Sequence, residues 1–373
     1  MRIMLLKPHI SSNAATLADF LRVQAASYYT QLAGAAPQVH LEHESLRPFS
    51  ELYEFTIHGD VKSRRLFVKL PFPNRSCRSN TANRPRLFEP AAPELLASLE
   101  FTAMRHIQQS FSRLDDARFG SVHVLDLVQS PDAIVMEKAE GATLREVSGG
   151  CLGAERDVDD STAVIQNAVF QNVGQWLRHF HQLPDLPHTR PRTTRRDHFI
   201  AMIDEFLDYF PAVRAPRWMT SVGEFLRQES ESTLQHGLSL GLAHGDFAPR
   251  NVIVAANNRV TVLDTLARWR APIYEDIALF LLSLKLGRGS KLLFTSRTKG
   301  LTTSSREFLK GYFDDASSEW PTIRLFILQA ILDRGCSYLS THSMQNPVAA
   351  VKHCCKLHVL RRVAEHFMST DSL

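Results

Sequence analysis

The sequence predicts an α+β chain built as two lobes, a small antiparallel sheet followed by a mostly helical body. Three observations lead there. The chain has 373 residues, more than one hydrophobic core usually serves, so two domains or two lobes are expected. Strand-like alternation is concentrated between about Val39 and Met136, and helical periodicity dominates after it. A single short hairpin pattern, Asn251–Val254 and Val260–Leu263, is embedded in the helical part.

The elements follow in order. The first 36 residues are Ala-rich, as in Ala14 to Ala26, and read as a helical preface or a partly ordered tail. Leu52–Ile57 (LYEFTI) alternates apolar and polar residues, His58-Gly59-Asp60 reads as a turn, and Arg65–Leu70 (RLFVKL) is a second strand ended by Pro71 and Pro73. Asn74–Arg86 has the composition of a loop. Leu95, Leu96, Leu99, Ala103, Met104 and Ile107 give Pro93–Phe111 a helical period. Val122–Val128 and Ala133–Met136 are strands joined by Ser130-Pro131-Asp132. These segments divide the chain into an N-terminal helical extension (1–36), a β-rich lobe (37–138) and a helical lobe with an embedded hairpin (139–373).

In the second lobe a periodic segment runs from Ser161 to Leu183 and is stopped by Pro184. Arg190, Arg192, Arg195 and Arg196 form a basic loop, and Ser221 with Glu224 has the spacing of a capping box opening another helix. Helices are expected around Tyr274–Leu286, Ser304–Phe313, Ile323–Leu339 and Val351–Met368.

Composition narrows the function classes. Hydrophobic residues at 44% and charged residues at 22% exclude wholesale disorder. A formal charge of +4 over this length is too weak a field to imply nucleic-acid binding. No stretch is long and apolar enough to span a bilayer, and MRIMLLK is too short for a signal peptide. Five cysteines without paired spacing fit a reducing, cytoplasmic setting. Cys354-Cys355 beside His353 and His358 suits a zinc site poorly, so buried helix cysteines are expected there.

The chemistry concentrates in Leu242–Val254, LAHGDFAPRNVIV, where Asp246 and Asn251 bracket a short loop before a strand. The next strand ends at Asp264. Two carboxylates and an amide oxygen are hard ligands that suit Mg²⁺. A carboxylate held apart from the metal can accept a hydroxyl proton. Phosphoryl transfer needs this equipment, because the protein mainly positions the reactants and neutralises phosphate charge.

This segment resembles the catalytic loop of the aminoglycoside phosphotransferase and choline kinase-like families, relatives of the protein kinases, and so implies a protein kinase-like fold. The resemblance makes Asp246 the catalytic Asp, Asn251 and Asp264 the metal-binding pair, and His244 a structural histidine. Lys69 in FVKLP matches the lysine that holds the α- and β-phosphates, and Glu100 the helix glutamate that orients it. Val135–Leu144 looks like the hinge, with Glu137 as a nucleotide-binding position; His181 and Asp276 match structural positions. Bland readings stand beside these: Lys69 as an edge-strand guard, and Glu94 rather than Glu100 as the inward-facing glutamate.

Three departures bear on function. The expected phosphate loop, within Leu46–Glu54, has no glycine, which leaves backbone amides near Ser50 and Glu51 and the Ser50 hydroxyl to serve. Arg250 stands next to Asn251, where it either acts in catalysis as a clamp on substrate or phosphate or forms a salt bridge within the lobe. Asp264 is followed by Thr265-Leu266, which argues against a protein-kinase activation switch. The expected activity is transfer of the γ-phosphate of ATP or GTP, with Mg²⁺, to a hydroxyl of an aminoglycoside, amino alcohol or sugar-like molecule, at the cleft between the lobes. The rival is a catalytically idle nucleotide-binding or scaffold protein. Asp204, Glu205, Asp208, Glu224, Glu229 and Glu231 favour a cationic acceptor and the arginine loop an anionic one; the sequence chooses neither, and it does not set the oligomeric state.

Overall fold

The computed structural model describes residues 12–29, 37–47, 49–59, 63–72, 85, 87, 89, 91–149, 160–192, 196–287, 301–340 and 347–370. The chain divides into two units, one formed by Met1–Arg75, Ala91–Arg105 and Val122–Ala139, the other by Ser76–Pro90, His106–Ser121 and Glu140–Leu373.

The first unit begins with α1 (Ser12–Tyr28), β1 (Gln38–Leu46), β2 (Ser50–His58) and β3 (Ser63–Pro71). After a 3₁₀ turn at Pro93–Leu95 come α2 (Leu96–Phe111), β4 (Val124–Val128) and β5 (Ala133–Glu137). The strands form one antiparallel sheet in the order β1-β2-β3-β5-β4. Strand side chains alternate between faces. Tyr53, Phe55 and Ile57 of β2 and Leu66, Val68 and Leu70 of β3 therefore share one face, and α1 covers it with Ala14, Leu17, Leu21 and Ala25. The N-terminal helix is thus part of this core, where the sequence left a choice between a helical preface and a loose tail. The end of α1 is tied to the sheet as well. Tyr28 donates a 2.8 Å hydrogen bond to Asp126, and the neighbouring Tyr29 one of 2.8 Å to Glu137. Burial and these carboxylates push both phenols above their usual range.

In the second unit lie α3 (Leu144–Gly149), α4 (Asp160–His181), α5 (Arg196–Ala212) and α6 (Arg217–Thr233). The strands β6 (Leu240–Leu242), β7 (Val252–Val254), β8 (Val260–Val262) and β9 (Trp269–Pro272) follow, then α7 (Tyr274–Leu286), α8 (Thr303–Phe313), α9 (Trp320–Ser340) and α10 (Pro347–Ser369). The β7–β8 hairpin is flanked by the short strands Phe119–Gly120 and Ala142–Thr143; β9 lies between Arg190–Pro191 and β6. A cluster of stacked rings fills the core, with Phe280 and Phe308 4.3 Å apart and Trp176 and Phe180 5.5 Å apart.

Helices α4 and α8 touch backbone to backbone because of two glycines. A Cβ on Gly174 would sit 2.2 Å from the Phe308 carbonyl oxygen, and one on Gly311 2.1 Å from that of Gln171. No side chain fits at either place.

Two sequence expectations fail locally. α6 starts at Arg217 behind Pro216, whose φ of −59° already suits helix entry. Ser221 is inside that helix, its hydroxyl donating to the Arg217 carbonyl, so Ser221 and Glu224 make no capping box. Helix α5, where the sequence reading gave only a basic loop and scattered acids, is marked by buried Phe199, Ile203, Phe206 and Phe210 at helical spacing. Asp60 of the first His-Gly-Asp and nearly all of the 74–86 loop lie outside the described residues. Among the described residues no helix is long and apolar enough to cross a membrane.

Leu17→Ala or Leu21→Ala should each lower the unfolding free energy by about 2–5 kcal/mol in denaturant titrations, whereas Val23→Ala, at an exposed site, should change it by less than about 0.5 kcal/mol. Gly311→Ala should destabilise the protein although it raises helix propensity, because the added methyl forces α4 and α8 apart.

Candidate active site

In the first unit the site begins with a lysine in the middle of a sheet. Lys69 pairs with Leu52 on one side and Ile134 on the other, so the edge-guard reading is excluded. It alternates with Val68 and Leu70 and so leaves the sheet on the face opposite α1. There its ammonium meets Glu100 of α2 at 2.6 Å, with side-chain exposures of 14% and 5%. Glu94 is exposed in the 3₁₀ turn, so Glu100 is the inward glutamate. Ser50 opens β2 and is buried, its carbonyl accepting from the Arg47 amide at 2.8 Å across the turn. Glu51 is enclosed by ladder partners, Leu46 in β1 and Leu70 in β3. The Glu137 carboxylate is taken by Tyr29 and His123, and its amide donates to the His123 carbonyl at 2.9 Å.

In the second unit β6 delivers the chain into the loop that carries His244, Gly245 and Asp246. Gly245 has φ +80° with open space around it, so glycine is needed for its backbone angle rather than its size. The loop is pinned from below by Asp276 in the first turn of α7. Its carboxylate accepts the His244 amide at 2.6 Å, the Gly245 amide at 2.8 Å and His181 Nε2 at 3.1 Å. The Tyr312 hydroxyl completes the chain, 2.7 Å from His181 Nδ1. Burial alone would raise Asp276; the bonds from His181 and the His244 amide overcome it and hold the carboxyl below its ordinary value.

His244 has one role on each ring nitrogen. Nε2 donates to the Leu263 carbonyl at 3.0 Å, and Nδ1 faces the Asp246 amide at 3.4 Å. Burial lowers its pKa, so the ring is neutral and serves as a spacer between loop and hairpin. Asn251, fully inside, donates through Nδ2 to the Asp246 carbonyl at 2.9 Å and to its carboxylate at 3.1 Å. That fixes the amide so that Oδ1 is the end left for a cation. Asp264, just past β8, has φ +64°, a left-handed angle uncommon for a non-glycine residue.

These residues fit a magnesium ion. Among the described residues no three His, Cys, Asp or Glu side chains gather into a metal cluster. Mg²⁺ does not require one, since it is commonly held by one or two carboxylates, waters and substrate phosphates. Asp264 and the Oδ1 of Asn251 are donors of that kind. The zinc alternative at His353, Cys354, Cys355 and His358 finds no cluster either, and Cys354 is exposed rather than buried as the sequence suggested.

Of the two sequence readings of Arg250, the salt bridge within the second unit is the one present here. Nη2 of Arg250 lies 2.5 Å from both carboxylate oxygens of Asp246. The basic loop resolves differently. One Arg192 nitrogen bonds both oxygens of buried Glu275, at 2.9 and 2.7 Å, so this arginine is spent inside the fold. Among the acids, Asp204 pairs with Arg227 and Glu229 with Arg324. The pairings of Tyr312 with His181 and of Arg192 with Glu275 escaped the sequence reading because the partners are remote in the chain.

Asp276→Ala should cost on the order of 3–5 kcal/mol, since two loop amides and His181 lose a buried charged partner. Burial pushes Glu275 up to about 7 against the pull of Arg192. A carboxyl raised in the folded state contributes stability that is full in acid and lost as pH rises through the folded value. The unfolding free energy should therefore carry a downward slope from about pH 5 to about pH 7, and Glu275→Gln should flatten it in pH-resolved denaturant titrations.

The model of the phosphotransferase enzyme family matches residues 45–326. No curated protein matches the sequence. Among solved structures, a spectinomycin phosphotransferase in complex with ADP and spectinomycin is 12% identical, with 96% of this chain and 98% of that chain covered and a TM-score of 0.52. An ADP-bound aminoglycoside phosphotransferase is 15% identical over 88% and 94%, with a TM-score of 0.50. An ethanolamine kinase of Plasmodium vivax is 12% identical over 96% and 92%, also at 0.50. At such identities the likeness is one of fold: two-lobed, with a sheet-rich first part and a helical second, as in protein kinases. With the family's own model running through both units and across Lys69, Glu100, Asp246, Asn251 and Asp264, the chain belongs to the phosphotransferase enzyme family.

Proposed function

We propose that this protein transfers the γ-phosphate of ATP or GTP to a hydroxyl of a small molecule of the aminoglycoside, amino alcohol or sugar-like class. The observation that carries the reading is the loop around Asp246. Its backbone is immobilised by Asp276 and Asn251, while its carboxylate remains about half exposed, the arrangement of a base that must meet a ligand. Asp246 orients the acceptor hydroxyl and accepts its proton. Asn251 and Asp264 hold Mg²⁺, which when bound neutralises phosphate charge. Lys69, kept in place by Glu100, binds the α- and β-phosphates. Phosphate also meets the β1–β2 turn next to Ser50, and the Glu137 carbonyl, its amide and carboxylate being occupied, is the group left for the base. Transfer is direct, with no phosphoenzyme.

The nucleotide-binding role falls to 37–138, now joined by α1, and the acceptor and catalytic loop to 139–373. Two relatives in fold are named for spectinomycin and ethanolamine, molecules with both amine and hydroxyl groups, which supports an acceptor of that class. The described cysteines are free thiols, in keeping with a cytoplasmic setting. A kinase-like protein that binds nucleotide without turnover is the second reading, and the glycine-free β1–β2 turn favours it.

Turnover of MgATP and MgGTP with a panel of amino sugars, amino alcohols and sugars separates the two readings. Asp246→Asn should lower turnover by roughly 10²–10⁴-fold without weakening nucleotide binding. Lys69→Ala should weaken nucleotide binding as well as turnover. Normal turnover in Asp246→Asn sinks the role given to that carboxylate, and nucleotide binding with no turnover across the panel selects the idle protein.

A further inference from the structure

We propose that Arg250 is a γ-phosphate-responsive arm: without nucleotide it pairs with Asp246 and competes with the acceptor hydroxyl for that carboxylate, and the γ-phosphate of a bound nucleoside triphosphate draws it off. This rests on the phosphotransfer reading above and adds an order to it, nucleotide first and acceptor second.

Three features of the loop support the arm. The first is competition for the base. Asp246 Oδ1 accepts from Arg250, and Oδ2 accepts from both Arg250 and Asn251 Nδ2, so each carboxylate oxygen is already engaged when an acceptor arrives. A hydroxyl must compete with these donors for the lone pair that remains, and the guanidinium charge makes the carboxylate a weaker base until a donor leaves. Asn251 cannot be that donor, because it is buried and its amide also holds the loop carbonyl of Asp246. Arg250 is the one able to move.

The second is the pivot. Arg250 sits in the 3₁₀ turn Pro249–Asn251, whose other two residues are both buried, so its backbone is fixed. Its side chain is not. Arg250 and Asp246 are 47% and 52% exposed, and among the described residues the guanidinium has no bond except to Asp246. Ion pairs this exposed contribute little, since water competes for both partners. The third is the chemistry of the competitor. A phosphoryl group offers a guanidinium paired oxygens in matching geometry and more negative charge than one carboxylate. In the transfer proposed above it is also delivered to Asp246, the carboxylate that Arg250 holds.

The experiment compares binding of Mg-AMP-PNP, which carries the third phosphoryl group, with Mg-ADP, which lacks it, by calorimetry on the full-length protein. Wild type, Arg250→Met and Arg250→Lys are used, with melting temperatures as a check on folding. Arg250→Met should weaken Mg-AMP-PNP by about tenfold and leave Mg-ADP within about twofold, and Arg250→Lys should recover part of the loss. A crystal structure of the wild-type Mg-AMP-PNP complex should show the guanidinium on the γ-phosphate. Equal effects on both nucleotides, no effect on either, or a complex in which Arg250 still holds both oxygens of Asp246 overturns the proposal while the phosphotransfer reading stands. A wild-type protein that binds neither nucleotide overturns both.

Discussion

The second unit depends on one buried carboxylate. Asp276 lies almost entirely out of water, which by itself would drive it toward the neutral form. It stays charged because four groups converge on it in series: the His244 and Gly245 amides, His181, and Tyr312 behind His181. The network draws on four elements, so the loop before β7, the end of α4, the start of α7 and the end of α8 are correct together or not at all. Tyr312 reaches His181 only because α4 and α8 touch at Gly174 and Gly311. The glycines set a helix distance, the distance sets a hydrogen bond, and the bond holds the charge that fixes the backbone of Asp246. Such a network is stable when complete and costly when one member is missing.

In the first unit the equivalent constraint is the period of a strand. Lys69 must leave β3 on the face where α2 can present Glu100, so Val68 and Leu70 leave on the other. That second face is strongly apolar and has to be covered, and α1 covers it. The Lys69–Glu100 pair and the N-terminal helix are therefore consequences of the same alternation, although they lie on opposite sides of the sheet.

These constraints explain what could be read from the sequence. The segment from His244 to Asp264 was legible because its geometry is local: a glycine at positive φ, an asparagine a few residues on, and a hairpin that returns an aspartate. Lys69 and Glu100 were legible through resemblance, and the alternatives for them fell only when β3 proved central and Glu94 exposed. What stayed hidden was pairing at long range. Nothing within the sequence around Tyr312 names His181, and nothing in the arginine loop says that Arg192 faces Glu275 while Arg190 stays at the surface. The capping box misled for a related reason, since the correct spacing lay inside a helix that Pro216 had already begun.

Glycine usage ties these points to phosphate chemistry. The chain has 17 glycines, and those with a clear task sit where the backbone needs it: Gly245 for a left-handed angle, Gly174 and Gly311 for contact between helices. The β1–β2 turn has none, and its flank is drawn into the sheet through Ser50 and Glu51. A loop so committed has few amides to turn toward a phosphate, in contrast to the glycine-rich cradles that wrap one in backbone N–H groups. Under the proposed function, recognition then rests more on side-chain cations. Lys69 provides one in the first unit, held fixed by Glu100. In the proposal above Arg250 is another in the second, held loosely by Asp246 in a pair about half exposed on both sides.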